Sequence, residues 1–96
     1  MKMAEQTIYK TEKKIDTRTA PKLSADLEAL AAEGKFDLVI DMSETGYISS
    51  VGLRALLTMQ KKVNANGGMM MIRGANEQVR EIFDVTGFSG FLTLED

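Results

Sequence analysis

Two adjacent serines, Ser49 and Ser50, are the residues of this chain best placed for chemistry, because they stand where a helix is predicted to begin. A serine hydroxyl in that place can cap the free backbone N–H groups of the first turn, or it can accept a phosphate. A phosphate on Ser50 would lie at the positive end of the helix and add a charge of about −1.5 to −2. Gly52 follows in the first turn, where glycine costs about 1 kcal/mol relative to alanine and bares the backbone for a partner. The segment therefore offers a modifiable docking site, with plain helix capping as the alternative.

Catalytic chemistry is limited by two residue types that the sequence lacks, because its 96 residues include no histidine and no cysteine. A Ser-His-Asp triad, a thiolate nucleophile and the usual zinc sites are thereby excluded. Asp37, Asp41 and Glu44 could ligate a hard cation, but three acids in one loop are more often solvated. We therefore predict a protein that is not an enzyme and that has no catalytic residue, metal or cofactor.

The charge balance argues against nucleic acid as a partner. Twelve basic and fourteen acidic residues give a net charge of −2, whereas nucleic-acid binding needs clustered excess lysine and arginine. The first fourteen residues lack the apolar stretch of a secretory signal, and no apolar run approaches the roughly 20 residues that span a bilayer. We expect a cytoplasmic protein without direct membrane insertion.

Hydrophobic periodicity and turn residues predict strands and helices in strict alternation. Strands are predicted over Thr7–Ile15, 36–41, 69–72 and 91–94. Helices are predicted after the turn at 16–19, from Ser49 or Ser50 to about Asn66, and from Asn76 to Gly87. Thr17 or Thr19 can cap the first helix, Pro21 suits its first turn, and Gly34 suits its end.

The alternating order predicts a single α/β domain over residues 1–96, with its core at about 7–95. We expect four or five strands in a mixed, mainly parallel sheet with the helices largely on one face. We expect the second helix to pack on two strands and to form the core with them. The expected core residues are Leu38, Val39, Ile40, Met70, Ile72, Leu53, Leu56 and Leu57. Parallel sheets carry functional loops at the carboxyl ends of their strands, so the loop from Asp41 to Ser50 is the predicted site.

The segments Leu38–Ser43 and Tyr47–Leu57 carry a resemblance to a known family. They resemble the signature of STAS domains of the anti-sigma factor antagonist type: a hydrophobic strand, D-x-S, then an aromatic residue followed by serine, glycine and leucine. The turn at Ile15–Ala20 is similar to the LD-x-x-T-A turn of that family. Two departures stand out: Ser49 replaces an acidic residue, and Lys13-Lys14 replaces a glycine. The chain also stops at Asp96, where relatives often add a helix, so we expect one sheet face to be less covered.

The resemblance implies a phosphorylation-switched binding module of bacterial signalling. The implied partners are an anti-sigma factor that is also a serine kinase, whose capture frees a sigma factor, and a serine phosphatase that resets the switch. Ser50 aligns with the phosphorylated serine of the family, and Ser49 is the alternative acceptor. The implied partner-binding surface consists of Asp16, Ser43, Glu44, Ser49, Ser50, Val51, Gly52 and Leu53.

The same resemblance leaves one other function open, that of a STAS accessory subunit in a lipid or anion transport complex. Such relatives need not keep the acceptor serine, so Ser50 favours the switch.

A response-regulator receiver is a weaker alternative, because a receiver needs an acidic pair after its first strand and a late lysine. This chain has Asp16 alone and Arg73 at those places.

Overall fold

The structure, a computed structural model, describes residues 6–95 and contains three helices and six strands over that range. The helices are α1 (Ala20–Ala32), α2 (Ser50–Ala65) and α3 (Glu77–Thr86). The strands are β1 (Thr7–Lys10), β2 (Lys14–Ile15), β3 (Asp37–Asp41), β4 (Tyr47–Ile48), β5 (Met69–Arg73) and β6 (Thr93–Leu94). A single 3-10 turn at Phe88–Gly90 follows α3. The predicted alternation is confirmed for β1, α1, β3, α2, β5, α3 and β6, but the short strands β2 and β4 interrupt it, and β4 was not predicted.

Four strands form the main sheet in the order β1-β3-β5-β6, and all of its pairings are parallel. Val39 in β3 stands opposite Ile8 in β1 and Met71 in β5, which fixes the register of the three strands. The four strands follow one another across this sheet in chain order, and α1, α2 and α3 lie in the connections between them. Buried side chains of the three helices pack in one cluster with those of β3 and β5. The mainly parallel sheet is confirmed, and within residues 6–95 no antiparallel strand accompanies it.

The predicted strand over Thr7–Ile15 is wrong in its middle. The chain leaves the main sheet after the N–H of Thr11 donates to the carbonyl of Asp41, at 3.0 Å. Lys14 and Ile15 then pair with Tyr47 and Ile48 in a separate two-stranded parallel sheet. One extended segment therefore serves two sheets, because the burial of Thr11 turns the chain toward the loop that precedes α2.

The core lies between the main sheet and the helices and agrees with the prediction. Leu38 and Ile40 of β3, and Met70 and Ile72 of β5, are at most 1% exposed and pack in one cluster with the helices. The helices supply leucines, valines, a methionine and a phenylalanine to that cluster: Leu23, Leu27, Leu53, Leu56, Met59, Val63, Val79 and Phe83. Leu57, predicted to be core, is only half-buried.

The helix ends follow the predicted signals with one exception. Gly34 lies two residues after the end of α1 and Gly87 directly after α3, and their φ angles of 74° and 80° are in the region that favours glycine. The side chain of Asn76 accepts from the N–H of Val79 at 2.9 Å and caps α3. Thr19 occupies the cap position of α1, but its hydroxyl makes no cap hydrogen bond and donates instead to the carbonyl of Lys14.

Candidate functional site

Hydrogen bonds of the buried residue Thr45 hold the loop between β3 and α2 in place. Thr45 is fully buried, and its hydroxyl donates to the carbonyl of Glu12 while lying 2.5 Å from the hydroxyl of Thr11. The carbonyl of Thr45 accepts from the side-chain amide of Asn76 at 3.2 Å. These bonds join the loop to the chain between β1 and β2 and to the start of α3. The loop therefore holds the start of α2 in a fixed position.

The two serines have different environments. Ser49 has extended backbone angles and its hydroxyl accepts from the N–H of Gly52 at 3.2 Å, so it caps α2. Ser49 is only 8% exposed, and its own N–H donates to the carbonyl of Ile15 at 2.7 Å. Ser50 is the first residue of α2 and its side chain is exposed. The hydroxyl of Ser50 is therefore accessible, whereas that of Ser49 is buried and engaged in a hydrogen bond.

Gly52 does not leave bare backbone on the surface, and that prediction is wrong. A β-carbon at Gly52 would lie 2.6 Å from Cγ2 of Ile15 and 2.9 Å from Cγ1 of Ile48. The glycine lets α2 approach the small sheet of β2 and β4 closely, so its role is packing. Leu53, also predicted to contact a partner, is 2% exposed and belongs to the core. Val51 is 45% exposed and is the apolar side chain of this turn that reaches the surface.

Asp16 lies in the turn before α1 and is fixed by its backbone surroundings. Its carboxylate accepts from the N–H groups of Arg18 and Thr19, at 2.9 and 3.1 Å. These hydrogen bonds lower the pKa of Asp16 below its usual value. Asp16 therefore carries a negative charge near Ser49 at neutral pH while it shapes the entry to α1.

Ser43 and Glu44 lie at the other end of the loop, beside the carboxyl ends of β1 and β3. The N–H of Ser43 donates to the carboxylate of Asp41 at 2.9 Å, and hydrogen bonding from Ser43 lowers the pKa of Asp41. Glu44 forms an ion pair with Lys10 at 2.6 Å, and this pair lowers the pKa of Glu44. Both partners of that pair are about half exposed, so its contribution to stability is small.

The structure brings only part of the predicted surface together. A shallow open depression is lined by Lys14, Asp16, Thr17, Tyr47 and Ser49, and α2 starts at its edge. Ser43 and Glu44 are exposed but lie among Asp41 and Lys10 instead of lining this depression. The accessible centre of the site consists of Ser50, Val51 and the depression beside them.

Three residues of this region were missed by the sequence analysis. Tyr47 is 45% exposed and lines the depression, although it was predicted only as part of an apolar pair before the helix. Arg54 is exposed one turn after Ser50, and its spacing of four residues is the signal that could have found it. Thr45 gave no signal, because its partners Thr11 and Glu12 lie more than thirty residues earlier.

Metal ligation and membrane spanning have no support in residues 6–95. Across that range no three His, Cys, Asp or Glu side chains are grouped so that they could hold a metal ion. The helices described there are too short or too polar to cross a membrane.

Comparisons with known proteins agree on one family. The STAS domain model matches residues 2–96. BtrV of Bordetella bronchiseptica, which carries the name of an anti-sigma factor antagonist, is 32% identical over 74 residues, covering 77% of this chain and 64% of that protein. The anti-sigma-B factor antagonist of Staphylococcus epidermidis is 27% identical, covering 85% of this chain and 76% of its own length. The match to BtrV thus spans less than two thirds of that relative.

A solved structure shares the fold. The Bacillus cell fate determinant SpoIIAA in its phosphorylated form superposes with a TM-score of 0.73, covering 100% of this chain and 87% of that one. Its sequence is 13% identical, so the likeness concerns the arrangement of strands and helices. The expected α/β architecture is confirmed by that superposition.

Proposed function

The chain belongs to the STAS domain family, and we propose that it is an anti-sigma factor antagonist in a bacterial partner switch. In its unphosphorylated form it binds an anti-sigma factor that is also a serine kinase, and the sigma factor is released. Phosphorylation of Ser50 separates the two proteins, and a serine phosphatase restores the binding form. The names of the curated relatives support this role. Such a switch operates on transcription, so we place the protein in the cytoplasm.

The observation that carries the proposal is the contrast between the two serines. Ser50 is exposed at the first position of α2, whereas Ser49 is 8% exposed and uses its hydroxyl as the helix cap. A kinase acting on Ser49 would have to break the cap, but it can reach Ser50 without unfolding. We therefore assign Ser50 as the phosphate acceptor.

The chemistry of the switch is a phosphoryl transfer to this chain. The hydroxyl oxygen of Ser50 attacks the γ-phosphorus of ATP, the bond from that phosphorus to the bridging oxygen of the β-phosphate breaks, and ADP leaves. The serine proton passes to a base of the kinase, since this chain has no histidine to accept it. The protein is the substrate of this reaction and is not an enzyme.

The docking surface is centred on Ser50 and Val51. Val51 supplies an exposed apolar contact, and Tyr47 and Asp16 border the adjoining depression. Ser43 and Glu44 extend this surface toward β1, while Ser49, Gly52 and Leu53 support it from below. Val51 makes the centre of this surface apolar, so a phosphate on Ser50 adds charge that a desolvated contact does not tolerate.

The test is phosphorylation by purified anti-sigma serine kinases from the same genome, followed by mass spectrometry. We expect one phosphate on Ser50, none in Ser50→Ala, and a normal level in Ser49→Ala once circular dichroism shows that this variant is folded. Ser50→Ala should bind the kinase in the presence of ATP, and Ser50→Asp should bind poorly.

Two outcomes would contradict the proposal: equal kinase affinity for Ser50→Ala and Ser50→Asp, or no phosphate and no binding with any kinase of the genome. Either result would favour the accessory subunit of a lipid or anion transport complex. That alternative is tested directly by co-purification with the transport proteins.

A further inference from the structure

Arg54 lies one helical turn after Ser50 on the same face of α2. Residues four apart on a helix have β-carbons about 5–6 Å from each other, and both of these side chains are exposed. Arg54 also lines a groove between α1 and α2, together with Val51 and Ala55, and Glu28 stands in the same groove. Within residues 6–95 the ion pairs involve other side chains, so the guanidinium of Arg54 is unpaired in that range.

We propose that Arg54 pairs with the phosphate on Ser50 and thereby holds the phosphorylated state in one arrangement. The inference rests on the proposed function, since it concerns the modified form of the same site. Phosphorylation then changes two features together, because it introduces an anion at Ser50 and removes a free cation from the rim of the groove.

The order of the two charges along the helix supports the pair. An acidic group four residues before a basic one is the favourable orientation of such a pair on a helix, and the phosphate on Ser50 also lies at the positive end of the helix dipole. A guanidinium offers two parallel N–H donors to phosphate oxygens, which an ammonium group cannot do. The depression beside the start of α2 contains Asp16 and Lys14, which are opposite in sign.

The test uses protein with phosphoserine installed at position 50 during translation, so that no kinase is needed. Phosphorus NMR then gives the second pKa of the phosphate in the wild-type sequence and in Arg54→Gln, Arg54→Lys and Lys61→Gln. Lys61 is an exposed cation on the same face of α2, but it lies eleven residues from Ser50. At 1.5 Å per residue that is about 16 Å, which exceeds the Debye length of about 8 Å at physiological salt.

We expect the pKa of the phosphate to rise by about 0.2–0.4 in Arg54→Gln. Arg54→Lys should give a smaller rise, and Lys61→Gln should match the wild type. The Nε–H resonance of Arg54 should also shift on phosphorylation. An unchanged phosphate pKa in Arg54→Gln, or an equal change in Lys61→Gln, would overturn the proposed ion pair between Arg54 and the phosphate. Because no kinase takes part, these results do not depend on whether the partner switch itself is correct.

Discussion

The hydroxyl of Ser49 accepts the backbone N–H of Gly52 at 3.2 Å, and this contact separates the roles of two neighbouring serines. It satisfies one of the free N–H groups at the start of α2, which stabilises the helix. Because Ser49 caps the helix and Ser50 is exposed, we expect a modification of Ser50 to leave the fold unchanged. A structural serine and an exposed serine thus stand side by side.

The first prediction concerns the stability of variants at these two serines. Ser49→Ala should lower the free energy of unfolding by about 1 kcal/mol, because it removes the helix cap. Ser50→Ala should change it by less than about 0.5 kcal/mol, and Ser50→Asp should leave it unchanged or raise it by about 0.3–1 kcal/mol. Urea unfolding of the three variants measures the differences. Equal losses in Ser49→Ala and Ser50→Ala would contradict the separation of roles.

The second prediction concerns the packing of α2 at Gly52. Gly52→Ala should destabilise the protein by about 1–2 kcal/mol, because overpacking against Ile15 and Ile48 outweighs the roughly 1 kcal/mol that alanine gains in a helix. Gly46→Ala is the matched control, since a β-carbon there meets nothing within 4 Å. Thermal unfolding should show a lower midpoint for Gly52→Ala alone. A stabilised Gly52→Ala would show that Ile15 and Ile48 move aside without cost.

The third prediction concerns two neighbouring leucines of α2. Leu56 is fully buried, so Leu56→Ala should cost about 2–5 kcal/mol. Leu57 is half-buried, and Leu57→Ala should cost clearly less. Guanidinium unfolding compares the two variants at the same loss of side-chain volume. A similar cost for both would mean that the face of α2 toward the sheet is wrongly assigned.

The fourth prediction concerns acid stability. Asp26 accepts from Lys22 at 2.9 Å and from the hydroxyl of Tyr9, and these hydrogen bonds lower its pKa, that from Lys22 most. A lowered folded-state pKa adds stability above the unfolded value of about 3.9, and that stability is lost as the pH falls through the folded-state pKa. Asp26→Asn should therefore be less stable than the wild type at pH 7, and the difference should shrink below about pH 4.

The measurement for this fourth prediction is urea unfolding of wild type and Asp26→Asn at pH 7, 5, 4 and 3. Glu28→Gln, on the same helix, is the control, because Glu28 forms no ion pair within residues 6–95. A difference between wild type and Asp26→Asn that stays constant from pH 7 to pH 3 would contradict the assigned role of the carboxylate.

Local signals predicted the order of the elements and most of their ends. The helix stops at Gly34 and Gly87 and the cap at Asn76 depend on residues within four positions along the chain, which a sequence displays directly. The strands β3 and β5 could also be predicted from the sequence, because both are largely buried between neighbours and therefore appear as apolar runs. The proposed site at the start of α2 was placed by the same kind of local reasoning.

Contacts between distant segments were decided only by the tertiary structure. Whether Gly52 exposes backbone or packs against Ile15 depends on a residue 37 positions earlier, and the burial of Thr45 depends on partners at Thr11 and Glu12. The sequence by itself determined that a serine pair opens α2, since capping and periodicity are local properties. Which of the two serines faces solvent was decided by the fold, because the small β2–β4 sheet covers Ser49 and leaves Ser50 outside.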